Sequence, residues 1–263
     1  MFRYMVLISF FQTFAGATSA HEFWIEPKEM FMSENTPMQP VLMIGEHPDG
    51  QAYRFQPQAY AQTLWSGPKN QVELSRLPLS GPAFEFDGFG PGLHSLAVST
   101  FPQELTYDSA DQFRAFLAEI GQEDLLSSAQ HGPVEEGNIN ESYRRYAKTL
   151  VHFADQQGED RRVGLQREWV WKDGAFKLFD GDHPKAGQKT QVYCRSGLSP
   201  EAMTTLTFVT DDEGAIKPDL PRDARCLINA VFLRYDSVVA KWRSDWVSLF
   251  LCHRSHMGIE CLE

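Results

Sequence analysis

The 263-residue chain is acidic, with 35 Asp and Glu against 24 Lys and Arg for a formal charge of −11, and 42% of its residues are apolar. That charge repels phosphate backbones and anionic lipid surfaces, which argues against nucleic-acid partners and leaves small cations compatible. The length allows one large or two small domains around a proper core.

Taken in chain order, the first feature is a leader. Met1 to Tyr4 carries Arg3, Met5 to Gly16 is largely apolar, and Ala17 to Ala20 is small and polar, the order of regions in a secretory signal peptide. The apolar part is too short to span a bilayer, and no later stretch reaches that length, so the mature chain is expected to lack a transmembrane segment. Two cleavage points satisfy the small-residue rule: one after Ala17, leaving Thr18, and one after Ala20, leaving His21. Either places the protein in the periplasm or outside the cell.

After the leader, "VLMIGEHPDG" (41–50) reads as a strand entering a turn, and "GFGPGLHSLAVSTFP" (88–102) as a glycine-rich turn feeding a strand at Leu93 to Ser99. In "DSADQFRAFLAEIG" the spacing of Phe113, Phe116, Leu117 and Ile120 predicts a helix, with Asp108 or Ser109 as N-cap and Gly121 as its stop. Tyr143, Tyr146, Ala147 and Leu150 predict a second helix. From Val163 the strand pattern returns in "LQREWVW", "TQVYCRSG", "TTLTFVTDDEGAI", "CLINAVFLRY" and "WVSLFLC", with turns at Lys172-Asp173-Gly174 and Asp212-Glu213-Gly214. The expected architecture is mainly β, with immunoglobulin-like or transthyretin-like sandwich halves. Its parts are an N-terminal β region (21–107), a two-helix insertion (108–150) and a C-terminal sandwich (151–263).

Four cysteines, Cys194, Cys226, Cys252 and Cys261, allow three pairings. An oxidising compartment favours disulfides, and the preferred set is Cys194 with Cys226 and Cys252 with Cys261, the latter stapling a short C-terminal turn.

Catalytic signatures are missing: there is no GxSxG elbow, no GxxxxGK[ST] loop and no CxxC, and "HEFWI" (21–25) lacks the second histidine of an HExxH site. "GFGPG" (88–92) contains Pro91 and leads into a strand, so it reads as a turn. The acid pairs Glu135-Glu136 and Asp211-Asp212 are adjacent in loops, where side chains point into solvent. Trp242 and Trp246 read as core residues.

Eight histidines remain. His47 and His183 precede prolines in what read as exposed turns, His131 lies in a polar loop, and His152 sits at a change of element. His21 differs if cleavage follows Ala20. Its freed amino group, with a reference pKa of about 8, lies within chelating reach of its own ring, making a bidentate ligand that needs one further imidazole to hold a metal such as copper. The candidate metal ligands are therefore His21, His94 and His47. Cys252, His253, His256 and Cys261 are also ligand types, but neighbouring Cys252 and His253 point to opposite sides of a strand.

"AHEFWIEP" (20–27), "PGLHSLAV" (91–98), "ESYRRYAKTLV" (141–151), "TFVTDDEG" (207–214), "LINAVFL" (227–233) and "WRSDWVSLF" (242–250) together resemble a bacterial periplasmic domain family of unknown function. It is often labelled the periplasmic component of a nickel or cobalt ABC uptake system (NikM-like). The resemblance implies an exported, mostly β protein without established enzymatic activity that handles a transition metal (nickel, cobalt or copper), with a membrane transporter component as partner. It also favours cleavage after Ala20. Two departures stand out: the family's histidine after "AV" in the penultimate strand is Phe232 here, and the chain adds "LCHRSHMGIECLE" at its end. Three functions follow in order: a metal-binding protein, a sandwich interaction module without metal, and a histidine-brace copper enzyme using His21 and His94.

Overall fold

A computed structural model describes residues 22–33, 38–76, 90–127, 139–154, 158–196, 199–239 and 241–253. Among them the first half forms β1 (Glu22–Pro27), β2 (Phe31–Met32), β3 (Pro40–Gly45), β4 (Gln51–Arg54), β5 (Gln62–Ser66), β6 (Gln71–Glu73), β7 (Gly92–Ser99) and β8 (Gln103–Tyr107). The helix α1 (Ala110–Glu119) and the long strand β9 (Ile139–Phe153) follow. The second half contributes β10 (Arg167–Lys172), β11 (Ala175–Asp180), β12 (His183–Pro184), β13 (Lys189–Ser196), β14 (Ser199–Val209), β15 (Ala215–Ile216), β16 (Ala224–Asp236) and β17 (Lys241–His253).

The chain is mainly β, and its sheets stack as a sandwich. A ten-stranded sheet runs β14-β13-β16-β17-β9-β7-β5-β6, with β2 and β8 also paired to β9. Its seam is the parallel pairing of β9 with β17, so strands from both halves of the sequence share one sheet. Side-chain alternation sends the two faces of this sheet to different layers. Tyr146 and Leu150 of β9, with Ile228 of β16 and Leu249 of β17, pack on Trp169, Phe176 and Leu178 of the β10-β11-β12 sheet. On the other face, Ala147, Val151 and Phe153 meet Phe23, Ile25 and Leu42 of the β1-β3-β4 sheet. Farther along that face α1 lays Phe113, Phe116 and Leu117 over Trp242 and Trp246, which are core residues as expected.

The local signals explain most of these elements. Ser109 caps α1 by accepting from Gln112 N, and Gly121 follows the helix at φ 64°, a left-handed position that glycine takes without a Cβ penalty. Asp173 and Gly174, both at positive φ, close the β10–β11 hairpin in two residues. Cys194 and Cys226 face each other across β13 and β16 and form the expected disulfide. Cys252 is also disulfide-bonded; its expected partner, Cys261, lies outside the described residues, as do His131, Glu135, Glu136 and His256.

One element is a correction. Residues 141–150, expected as a second helix, form the centre of β9. A strand hydrogen-bonded on both sides and covered on both faces reads as a nearly continuous apolar run, in which a helical spacing arises by chance. Here Tyr146, Lys148 and Leu150 face one layer and Ala147, Thr149 and Val151 the other. Among the described residues of the insertion expected at 108–150, the helical elements are α1 and a short turn of 3₁₀ helix (Glu123–Ser127), and residue 150 falls inside β9.

The two layers meet at a buried charge cluster. Lys148 Nζ lies 2.8 Å from Asp160 Oδ1, 3.0 Å from Glu168 Oε1, 2.8 Å from Arg161 O and 3.2 Å from Trp169 O. The three side chains are at most 1% exposed. The carboxylates also accept main-chain N–H groups from Arg161, Val163, Gly164 and Trp171. Removing the ammonium would strand two carboxylates without water, so Lys148→Met should lower the unfolding free energy by about 3–5 kcal/mol. Urea denaturation followed by tryptophan fluorescence checks this, and a loss below about 1 kcal/mol would contradict it.

Candidate functional site

The described chain begins at Glu22, the residue after His21, and β1 carries it into the interior. Glu22 pairs with Gly45 across the β1–β3 ladder and is buried, with Oε2 lacking a hydrogen-bond partner. Burial pushes its carboxyl up to about 7, helped by the negative charges of Glu46 and Glu119, while a hydrogen bond with Tyr193 pulls the other way. Burial, with the Glu22 charge beside it, also drives the Tyr193 phenol well above its ordinary range, so it stays protonated. Its hydroxyl donates to Gln191 Oε1 at 2.8 Å, and Gln191 Nε2 donates to Glu119 O at 3.0 Å.

His47 closes the site from the turn after β3. The sequence places it in an exposed turn; the structure buries it to 7% exposure, and the cause is Trp24. The turn folds down onto that indole so closely that a Cβ on Gly50 would stand 2.4 Å from Trp24 Cη2. Only glycine permits this approach. The His47 ring then lies edge-on to Trp24 at 5.2 Å between centroids, 5.9 Å from Phe250 and 6.4 Å from Tyr193. Burial and the nearby Arg195 charge lower its pKa to about 4, and Nδ1 is buried without a partner. His47 is thus a neutral imidazole, the form that ligates metals. Trp24 is fixed in turn by donating to Glu26 Oε2 at 3.0 Å, while Glu26 Oε1 accepts from Arg225 at 3.0 Å.

His94 belongs to a different setting. Its ring lies 4.6 Å from Phe153 and 5.3 Å from Trp65, and Nε2 is 2.8 Å from the Gly90 carbonyl. Burial lowers its pKa, and it anchors the turn ahead of β7. His21 lies outside the described residues. Among the described residues no group of three His, Cys, Asp or Glu side chains could hold a metal ion.

Phe232, singled out in the sequence as a departure from the resembled family's histidine, lies in β16. It packs on the layer formed by β10 and β11, under the Arg167 guanidinium at 4.5 Å. The cluster of Trp24, Leu227 and Phe250 beside His47 lies on the opposite face of the large sheet. A histidine at 232 would point away from His47.

The sequence did not single out Glu22, Tyr193 or Gly50 for this site. Glu22 carried a usable signal, since an acid inside the apolar opening of a buried strand requires a partner. Tyr193 carried none, because the large sheet's packing brings it in from far along the chain. Other chemistry-bearing pairs are structural. Asp211 Oδ1 accepts from Glu213 N and Ala215 N and holds its turn, and Asp212 is exposed. His253 Nδ1 lies 2.9 Å from Pro221 O, and His183 is exposed.

No family model matches the chain, and no curated protein matches it. Among solved structures it is similar to the D0-D1 domain of Intimin at 12% identity, over 89% of this chain and 98% of that one, with a TM-score of 0.20. A superposition that loose bears on neither fold nor function.

A second buried carboxyl offers a pH test. Glu141 accepts from the Tyr107 hydroxyl at 2.6 Å and from Ser244 Oγ under α1, and burial raises its pKa. The native state therefore holds this proton more tightly than the unfolded chain. The associated stability is fully present below about pH 4 and is lost as pH rises through the raised value. Glu141→Gln should raise Tm more at pH 8 than at pH 4.5, as read by thermal circular dichroism; an equal change at both would contradict this.

Proposed function

We propose that the protein is exported, is cleaved after Ala20, and binds one transition-metal ion at the start of β1. In this reading His21 supplies its amino and ring nitrogens and His47 supplies a second imidazole. The observation that supports it is the buried, uncharged His47, its Nδ1 without a partner, standing among Trp24, Phe250 and the Tyr193 ring whose hydroxyl meets Glu22.

The donor set suits a borderline metal. Two imidazoles and an amine match nickel, cobalt or copper better than magnesium or calcium, which prefer oxygen shells. Glu46 and Glu119, whose negative charges reach Glu22, favour a cation nearby. The resemblance to the nickel and cobalt uptake family points the same way and supplies a partner, a membrane transporter component that receives the metal. The role is binding and presentation, without catalysis.

Protein exported with its own leader should begin at His21 by intact mass, retain about one equivalent of Ni²⁺ or Cu²⁺ after dialysis, and show Cu²⁺ quenching of Trp24 fluorescence. His47→Phe, which fits an aromatic-lined site, should abolish retention and quenching, whereas His94→Phe should leave both intact. A mature N-terminus at Thr18, or full metal retention by His47→Phe, would overturn the proposal.

A further inference from the structure

A groove of about 780 Å³ opens where three loops of the sandwich meet, and it shares no residue with the Glu22–His47 cluster. Its walls are Pro68 and Lys69 from the β5–β6 turn, Gly90 to Leu93 leading into β7, and Gly158 to Arg162 between β9 and β10. Val170 and Lys172 of β10 complete it.

The loops are held there by their own chemistry. Gly158 lies against Leu93 so tightly that a Cβ would stand 2.8 Å from Leu93 Cβ. Gly92 lies against Pro68 with only 2.6 Å for a Cβ, at φ 131°. Side chains are thus kept out of the groove where backbone lines it. His94 fixes the Gly90 carbonyl from below, and the Lys148 cluster pins Asp160 and Arg161. The site is preorganised.

Its charge runs against that of the chain. Four cations line the groove: Lys69, Arg161, Arg162 and Lys172. Of the two lining acids, Asp160 is committed to Lys148, and Glu159 lies a loose 3.6 Å from Lys172. Arg161 spends Nε and Nη2 on neutral acceptors, Ser66 Oγ and the carbonyls of Gly67 and Asn70, so among the described residues no carboxylate pairs with it. Arg162 pairs with Asp182 through Nη1 and lies over the Phe179 ring, yet its buried Nε has no partner. Positive charge gathered in a concave site of an acidic protein focuses anions there. The volume matches small-molecule sites, and Pro68, Pro91, Leu93 and Val170 offer apolar surface for an organic body.

We infer that this groove binds a small organic oxyanion, with a carboxylate or phosphate set between Lys69 and Arg161 and its carbon skeleton on the proline, leucine and valine wall. Guanidinium and ammonium groups recognise both anions through the same charge-assisted hydrogen bonds.

Titration calorimetry on the full processed chain, with citrate and with glycerol 3-phosphate as probes, decides the matter. Saturable 1:1 binding of either probe, weakening as salt is raised, is expected; citrate alone assigns a carboxylate, and glycerol 3-phosphate alone a phosphate. Lys69→Glu, an exposed substitution outside every buried cluster, should weaken binding about tenfold with unchanged Tm. Lys69→Glu/Lys172→Glu should remove it. Absence of saturable binding by both probes at millimolar concentration, or unchanged affinity in the double variant, would overturn the inference.

Discussion

The sandwich depends on one lysine. Lys148 projects from the centre of the large sheet into the layer formed by β10 and β11, where its ammonium meets Asp160, Glu168 and two main-chain carbonyls out of reach of water. A buried charge cluster of this kind adds little over a well-packed apolar one, but it is intolerant of alternatives because every register that separates the charges leaves one unpaired. It therefore specifies how the layers stack. It also dictates the path of residues 160–164, whose N–H groups satisfy the carboxylates, and through them the placement of Arg161 and the groove.

The opposite face is organised by an indole rather than a charge. Trp24 is fully buried between the β1–β3 ladder and Phe250, and the turn carrying His47 collapses onto it because residue 50 is glycine. Burial then does the chemistry: it removes the proton from His47 and holds one on Glu22 up to about pH 7. The two histidines of the described core diverge for the same physical reason. Both are desolvated and both have a buried Nδ1 without a partner, but His94 Nε2 is held by the Gly90 carbonyl, whereas the His47 ring stands among Trp24, Phe250 and Tyr193.

Much of this was legible in the sequence because the signals were local. The cap at Ser109, the glycine at 121, the Asp173-Gly174 turn and the period-two strands each encode their own geometry within a few residues. The Cys194–Cys226 bridge was the preferred of three open pairings, and the structure forms it by setting the two cysteines opposite each other on β13 and β16. What was not legible depends on tertiary context. The stretch 141–150 satisfies a helical period and becomes a strand because β17 and β7 flank it, and a proline after His47 suggests exposure that Trp24 overrides. Where Phe232 points was not legible either: alternation along β16 sets that side chain on the other face of the sheet from His47.

The proposed function places a metal between His21, as the N-terminal residue after the proposed cleavage, and His47. Anomalous diffraction at the nickel or copper edge, from metal-loaded crystals of the processed protein, tests this most directly. The account predicts a single peak about 2.0–2.1 Å from a His47 ring nitrogen and from the nitrogens of residue 21. A peak at His94 or in the C-terminal Cys and His tail, with none at His47, would contradict it.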